Sequence, residues 1–316
     1  MSDRWFDSSD TPAYTTRPMT LDDLEAVRLI DHAAFEDYRR HQNTLPRSLR
    51  PRTLDNMLVA LQRPCPGIVL ETGPGQILGY CFTHLWGSLG WLGTLGVLPR
   101  SQGMGLGRAV IAAGLDTLRE AGCTTLALET MPESGRNLAL YTRLGLDARE
   151  MTLLCHGRAR IPSLHTSFEV WESGDALHTI GSHLFPGLDP SPAARWVIDE
   201  RAGATLVWHE DGAPSAFAIL RGSPRREDTL QSHFTIEAAG CLPSAAEHWP
   251  RYLGEMQVFA RSQGKVGLML PVNTRQIDLL RATLEAGFQI IHTRVRMVSG
   301  ASLGAPDAIL MLTLAM

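Results

Sequence analysis

Long apolar runs, paired cysteines and lysine are scarce in this 316-residue chain. No 18 apolar residues run together, and the acidic, polar start MSDRWFDSSDTPA lacks the apolar core of a signal peptide, so we expect no membrane partner and no leader. The five cysteines are scattered and never form a C-x-x-C pair. This spacing argues against a disulfide framework or a zinc site and predicts free thiols in a reducing compartment. We therefore expect a cytoplasmic protein without a bound metal.

Basic charge is also limited. Lysine occurs once, at Lys265, and the formal net charge at pH 7 is -4. Without a dense patch of basic side chains, a nucleic-acid partner is not expected. The composition, 44% hydrophobic and 20% charged, is that of an ordinary globular protein. At roughly 100 to 200 residues per domain, the length predicts two domains.

The order of predicted strands and helices repeats along the chain. LALETMPESGRNLALYTRLGL in the first half corresponds to VGLMLPVNTRQIDLLRATLEAGF in the second, and both read strand, turn, helix. A period of about 150 residues is too long for a solenoid. The sequence predicts a loose tail over residues 1–13 and two copies of one mixed α/β domain over residues 14–157 and 158–316.

A glycine-rich turn, VLPRSQGMGLGRAV (residues 97–110), joins an apolar strand to a helical pattern. Gly103, Gly105 and Gly107 leave backbone N–H groups bare at the start of the helix, where the helix dipole favours negative charge. A phosphate is the expected occupant. A tight turn whose glycines only serve packing is the alternative.

Two nucleotide-binding patterns fit this turn less well. A dinucleotide fingerprint, G-x-G-x-x-G, needs glycine where the chain has Arg108 or Val110, although Glu129 lies about 20 residues further on, where the ribose-binding acid is expected. A phosphate-binding loop of the Walker type needs G-K-[ST], which the chain lacks.

A third pattern, V-x-P-x-x-[RQ]-x-x-G-x-[GA], matches at Val97, Pro99, Gln102, Gly105 and Gly107. It resembles the acetyl-CoA-binding segment of the GCN5-related N-acetyltransferases (GNAT). The later segment ALYTRLGL resembles that family's A-x-x-L-Y-x-x-x-G-F helix, with leucine in place of the final phenylalanine. The resemblance covers about residues 14–157.

The resemblance implies two tandem GNAT-like domains, each with a mixed, mostly antiparallel central sheet flanked by helices, and acetyl-CoA as the co-substrate. The amides of residues 103–108 would wrap the CoA pyrophosphate, and Leu95–Val97 would offer backbone groups to the pantetheine arm. Tyr141 is carried over as the general acid for the CoA thiolate, with a packing role as the alternative. Asn137 would cap its helix or bind the cofactor. The expected cofactor-binding residues are Leu95, Gly96, Val97, Gln102, Gly103, Met104, Gly105, Leu106, Gly107, Arg108 and Asn137.

The base for the attacking amine is left open. Several members of the family use a glutamate on the strand before the glycine turn, but here that strand offers only Thr94. His84, Glu36 and Glu129 are the candidates, beside a relay of water molecules to bulk solvent. Glu36, Tyr38 and Glu129 are also candidates for the acceptor site, although they indicate no particular substrate charge.

The second half lacks both signatures. Its segment EAAGCLPSAAEHWPRY has Gly240 alone, and Thr283 stands at the tyrosine position. The resemblance therefore implies a catalytic first copy and a degenerate second one, in a monomer with pseudo-dimeric domains or a homodimer. The expected reaction is direct acetyl transfer to the primary amine of a small molecule in a ternary complex. A non-catalytic acetyl-CoA sensor or scaffold, or an acetyltransferase acting on protein N-termini or lysines, is the alternative.

Overall fold

The computed structural model describes residues 13–41, 52–61, 67–73, 75–161, 166–222, 232–303 and 308–314. The predicted tail, apart from its last residue, lies outside the described residues. The chain forms two compact units. Unit 1 comprises Met1–Leu85, Gly90–Leu126 and Ala315–Met316, and unit 2 comprises Trp86–Leu89 and Ala127–Leu314. The predicted division of the chain after Gly157 stays a prediction.

The described part of unit 1 holds four neighbouring strands and three helices. The strands, in sheet order, are β1 (Thr15–Pro18), β2 (Ile68–Thr72), β3 (Gln76–Trp86) and β4 (Leu89–Val97). β2 is antiparallel to both β1 and β3. The helices are α1 (Leu24–His41), α2 (Leu54–Leu61) and α3 (Leu106–Glu120).

The start of α1 is fixed by local hydrogen bonds. Thr20 precedes a short 3-10 turn, Leu21–Asp23, and its N–H donates to the Asp23 carboxylate at 2.8 Å. The Arg17 guanidinium at the end of β1 holds the same carboxylate with bonds of 2.7 and 2.8 Å. Apolar residues at helical spacing then face the core of unit 1. That core includes Leu24, Val27, Ile30, Met57, Val69, Tyr80 and Phe82.

Unit 2 contains one large sheet with helices packed against it. Its strand order is β5, β12, β6, β11, β10, β9, β8, β7, and β13 pairs with β10. The strands are β5 (Thr125–Thr130), β6 (Asp147–Arg158), β7 (Glu169–Val170), β8 (Gly203–Glu210), β9 (Ala213–Arg221), β10 (His233–Cys241), β11 (Gly267–Asn273), β12 (Gln289–Ser299) and β13 (Ile309–Leu312). The helices are α4 (Gly135–Arg143), α5 (Ala176–Leu184), α6 (Ser191–Asp199), α7 (Trp249–Ser262) and α8 (Ile277–Glu285).

The order of elements repeats, as predicted. The first repeat runs β1, α1, α2, β2, β3, β4, α3, β5, α4, β6, and the second runs β7, α5, α6, β8, β9, β10, α7, β11, α8, β12. The mixed α/β, tandem architecture is thereby confirmed. Two elements are not predicted from the sequence, namely α6 and the additional strand β13 that follows the second repeat.

The last strands of the two repeats are interleaved. β6 lies between β11 and β12 and is antiparallel to both, so that Cys155 faces Leu270 on one side and Ile290 on the other. β12 in turn lies beside β5. Each repeat therefore relies on a strand of the other to complete the backbone hydrogen bonds of this sheet.

The described cysteines, Cys81, Cys123, Cys155 and Cys241, are buried and form no disulfide with one another, while Cys65 lies outside the described residues. Burial raises the pKa of the Cys81 and Cys241 thiols to about 12 and that of Cys155 to about 11. None of these three is a thiolate nucleophile at neutral pH. Over the described ranges, no helix has the length and apolar character needed to cross a membrane, and no three metal-ligating side chains converge.

Candidate functional site

The glycine turn lies between β4 and α3, as predicted. A 3-10 turn, Pro99–Ser101, follows the strand, and α3 begins at Leu106. Gly103 and Gly105 have φ angles of +83° and +78°. This left-handed region is unfavourable for residues with a Cβ atom, so the backbone itself requires glycine at both positions.

The turn presents a row of unused backbone donors. Within the part of the chain that the structure describes, the N–H groups of Gly103 and of residues 105–108 donate to no backbone carbonyl. The first such bond of α3 runs from Ala109 N to Gly105 O at 3.1 Å. A Cβ built on Gly103 or Gly105 meets no atom within 4 Å, so the space above the turn is open. Free donors at the positive end of a helix dipole, facing open space, form an anion site.

The turn is held against the sheet. The Gln102 side-chain amide donates to the carbonyl of Val97 at 3.2 Å, and the N–H of Leu98 donates to Leu78 O on β3 at 2.9 Å. The Gln102 backbone N–H donates to Pro99 O at 3.2 Å. These bonds fix the turn before any ligand arrives.

The end of β4 packs tightly against its surroundings at Gly96. A Cβ on Gly96 would lie 3.0 Å from Tyr80 Cε1 and 3.2 Å from the Cβ of Ala34. A Cβ on Gly79 would lie 3.2 Å from the carbonyl oxygen of Gly96. All three distances are shorter than ordinary van der Waals contacts, so glycine allows this backbone approach between β3 and β4.

A partly buried polar cluster lies beside this strand and joins α1, β3 and β4. The Tyr80 hydroxyl donates a short hydrogen bond to Asp31, whose other oxygen lies 3.4 Å from Nε of Arg52. Arg52 Nη1 donates to Thr94 Oγ1 at 3.2 Å, and the guanidinium lies over the Phe35 ring at 5.5 Å. Burial and the Asp31 charge raise the pKa of Tyr80 well above its usual value, so Tyr80 serves as a donor. Sequence reasoning missed this cluster, because its members are far apart in the chain.

His84, a predicted base candidate, lies on β3 inside unit 1. It is 1% exposed, and its ring stacks on Trp91 with 5.0 Å between ring centroids. A buried imidazole stacked on an indole is better suited to packing than to exchanging protons with a substrate. The base role of His84 stays a prediction that the geometry does not favour.

Glu36 and Tyr38 both lie on α1. The Glu36 carboxylate is 3.7 Å from His32 Nε2 and 3.5 Å from Arg40 Nη2, so it takes part in ion pairs along its own helix. Tyr38 is half-buried. Their roles toward an acceptor remain predictions.

Tyr141 and Asn137 lie on α4 in unit 2. The Oγ atom of Ser134 accepts a hydrogen bond from Asn137 N at 3.4 Å, so Ser134 is the cap and Asn137 supplies only its backbone N–H to that cap. Tyr141 is 5% exposed. The roles of the Tyr141 hydroxyl and the Asn137 side chain in catalysis and cofactor binding stay predictions.

Glu129, at the end of β5, belongs to a buried network of charges. Its carboxylate lies 2.9 Å from Arg296 Nη2 and 3.5 Å from Arg294 Nη1, and it accepts a 2.6 Å hydrogen bond from the Thr152 hydroxyl. Arg296 also lies 3.7 Å from Glu150. Two guanidinium groups neutralise Glu129, which favours a structural anion over a catalytic base.

Residues 27–146 match the model of the acetyltransferase (GNAT) family. This segment of the first repeat belongs to the GNAT family. Among curated relatives of the chain, a mycothiol acetyltransferase of Arthrobacter sp. (strain FB24) is 30% identical over 130 residues, or 39% of this chain and 39% of that protein. A mycothiol acetyltransferase of Stackebrandtia nassauensis is 40% identical over 75 residues, or 22% of this chain and 24% of that protein. The matches span well under half the length of these relatives.

Solved structures resemble the fold of this chain over both repeats. A GCN5-related N-acetyltransferase from Sphaerobacter thermophilus has a TM-score of 0.59 at 14% identity, covering 93% of this chain and 98% of that one. A tandem GNAT protein from the clavulanic acid biosynthesis pathway has a TM-score of 0.54 at 16% identity. The match covers 92% of this chain and 100% of that one. These similarities confirm that the chain has the tandem GNAT fold.

Proposed function

We propose that this GNAT protein is an acetyl-CoA-dependent N-acetyltransferase whose glycine turn binds the CoA pyrophosphate. The observation that carries the proposal is the row of free N–H groups at Gly103 and at residues 105–108, facing open space at the start of α3. A pyrophosphate supplies several acceptor oxygens and the negative charge that the helix dipole favours. Because the donors are backbone groups, they need no basic side chain.

The remaining cofactor contacts follow from the strand before the turn. Leu95–Val97 would present backbone groups to the amides of the pantetheine arm. The hydrogen bond from the Gln102 side chain to the Val97 carbonyl would hold the glycine turn at the end of this strand. Met104 and Arg108 would flank the pyrophosphate, and Asn137 would offer its side-chain amide. Gly96 is consistent with this assignment, because a Cβ there would be in tight contact with Tyr80 and Ala34, at 3.0 and 3.2 Å.

The chemistry is a direct transfer. The lone pair of a neutral amine attacks the thioester carbon, the C–S bond breaks, and Tyr141 protonates the departing thiolate. In this proposal the proton of the amine passes to water, and the contacts of the three candidate side chains support that choice. Glu129 is paired with two arginines, Glu36 lies beside His32 and Arg40, and His84 is stacked in the core.

The acceptor in this proposal is a small molecule with a primary amine. The relatives named mycothiol acetyltransferase support a small acceptor over a protein, although they match only part of the chain. In the full chain, the first repeat would then bind the cofactor, and the second repeat would have lost that ability.

Release of CoA thiol tests the proposal when acetyl-CoA is combined with a panel of amines. The panel contains amino sugars, amino acids, polyamines, and peptides with free N-termini or lysines. Thiol release that depends on a small amine is the expected result. Tight CoA binding without amine-dependent release would indicate a sensor, and release only with peptides would indicate a protein acetyltransferase.

A further inference from the structure

The two repeats share a short sequence at corresponding strand ends. G-V-L-P at residues 96–99 closes β4, and G-C-L-P at residues 240–243 closes β10. A 3-10 turn begins at the proline in both places. Residues 239–241 are therefore the counterparts of residues 95–97, which the proposed function assigns to the pantetheine arm of CoA.

Both edges of β10 are occupied by other strands. β9 pairs with one edge from Thr235 to Cys241. On the other edge, β11 pairs only with His233–Thr235, in parallel. The rest of that edge, Ala238–Cys241, pairs antiparallel with β13. The strand that follows the second repeat thus covers the counterparts of the arm-binding residues.

β13 is an anchored and buried strand, and the described residues of the first repeat contain no counterpart of it. At its end, Thr313 N donates to Glu237 O at 3.0 Å, and Arg296 Nη2 donates to Leu312 O at 2.7 Å. Before its start, Gln276 Nε2 donates to Ala308 O at 2.7 Å. Side chains of β12 and of the segment before α8 therefore hold the strand at both ends.

The second repeat has also lost the anion site. Counting from the shared proline, Glu247 and Trp249 stand where the first repeat has Gly103 and Gly105. The 3-10 turn Pro243–His248 runs directly into α7, without a residue in the left-handed region. The exposed Glu247 carboxylate at this helix start would repel a phosphate.

We propose that β13 is a built-in occupant of the second repeat's cofactor-arm position, so that the repeat is closed to acyl-CoA and the chain binds one acyl-CoA. This inference rests on the proposed function for the assignment of residues 95–97. β13 supplies the backbone partners that Ala238–Cys241 would otherwise lack in a buried site. Because β13 is tethered to the same chain, it pairs with β10 in an intramolecular step, against which a free ligand must compete.

The thiol of Cys241 reports whether β13 is in place. Cys241 is fully buried and pairs with Ile309 of β13. In a chain shortened to end at Leu303, iodoacetamide labelling of Cys241, read peptide by peptide, should rise at least about tenfold because local opening no longer limits access. Cys155, which is equally buried but pairs with Leu270 and Ile290, should keep its labelling rate as the control.

Pantetheine whose thiol is methylated, so that it does not consume iodoacetamide, then tests what the position accepts. S-methylpantetheine should slow the labelling of Cys241 in the shortened chain and leave the full chain unaffected. A folded shortened chain whose Cys241 stays protected, or whose labelling is indifferent to S-methylpantetheine, would overturn the proposal. If the shortened chain does not fold, as judged by circular dichroism, the full-length variant Leu310→Gly, Leu312→Gly takes its place with the same expected results.

Hydrogen exchange of the full chain separates this inference from the proposed function. CoA should slow exchange at residues 103–108, leave residues 238–241 unchanged, and titrate at one molecule per chain. Two molecules per chain, or CoA protection at residues 238–241, would contradict the role of β13. Absence of protection at residues 103–108 would contradict the proposed function, while the labelling of Cys241 would still decide the role of β13.

Discussion

The side-chain amide of Gln102 donates to the carbonyl oxygen of Val97 at 3.2 Å, and thereby fastens the turn with the free N–H groups to the strand before it. Gln102→Ala should weaken CoA binding about fivefold, since one hydrogen bond contributes about 1 kcal/mol. Isothermal titration measures the change. Gln263→Ala, at the exposed end of α7, is the matched control, and equal CoA affinities in both variants would disprove this preorganising role.

The conformation of the two turn glycines gives a second prediction. Gly103→Ala and Gly105→Ala should each destabilise the chain by about 1–2 kcal/mol through left-handed backbone strain. They should also weaken CoA binding at least about tenfold, because the new Cβ enters the space that the pyrophosphate needs. Gly122→Ala is the control. Gly122 lies at the end of α3, has a φ angle of +90° and is surrounded by open space, so that alanine there introduces the same backbone strain. It should lower the melting temperature similarly but leave the CoA dissociation constant unchanged.

Tyr141→Phe tests the general acid. Turnover should fall about a hundredfold, the range typical of a positioned proton donor, while the dissociation constant for CoA stays constant. Steady-state kinetics with a saturating amine gives the first value, and titration gives the second. Tyr14→Phe, at an exposed tyrosine, is the control. A Tyr141→Phe enzyme with full turnover would assign this side chain to packing alone.

The buried pair of Arg296 and Glu129 predicts a large loss of stability. Arg296→Met should lower the free energy of unfolding by about 3–5 kcal/mol, because the buried Glu129 carboxylate loses one of its two arginine partners. The double variant with Glu129→Gln should recover part of the loss, as urea denaturation would show. Arg281→Met, at an exposed pair with Asp278, should change stability little. Equal losses in the two arginine variants would contradict the assigned role.

Asp23 gives the fold a specific sensitivity to acid. Hydrogen bonds from Arg17 lower the pKa of Asp23 below its usual value of 3.8. A carboxyl group with a lowered pKa in the folded state contributes stability above the unfolded pKa, and this contribution is lost as the pH falls through the folded pKa. The unfolding free energy of the wild type should therefore decline more steeply below pH 3.8 than that of Asp23→Asn. The exposed Asp199→Asn variant should follow the wild type.

Local signals in the sequence account for most of the elements near the candidate site. The apolar run before Pro99, the glycines after it and Ser134 before α4 predict a strand, a turn and a helix start, because each acts on its immediate neighbours. Contacts between distant segments had no such signal. The hydrogen bond of Tyr80 to Asp31 and the arginine partners of Glu129 depend on the packing of α1 and β12.

The short strand β13 shows a related limit of sequence reasoning. A four-residue apolar run such as Ile309–Leu312 is consistent with a buried strand, but it does not identify the strand that it will join. The repeat could be predicted, because the order of strands and helices along the chain is the same in both halves. The pairing of β6 with β11 and β12 could not be predicted, because strands that exchange partners keep the same order along the chain.

The place of β6 between β11 and β12 affects the order in which the protein can fold during synthesis. β6 leaves the ribosome while neither of its neighbours has yet been translated, so both of its edges lack their native partners. Open strand edges are templates for pairing with other chains. Both edges of β6 therefore stay open until β11 and β12 have been synthesised, and during that interval the nascent protein can form strand pairs with other chains.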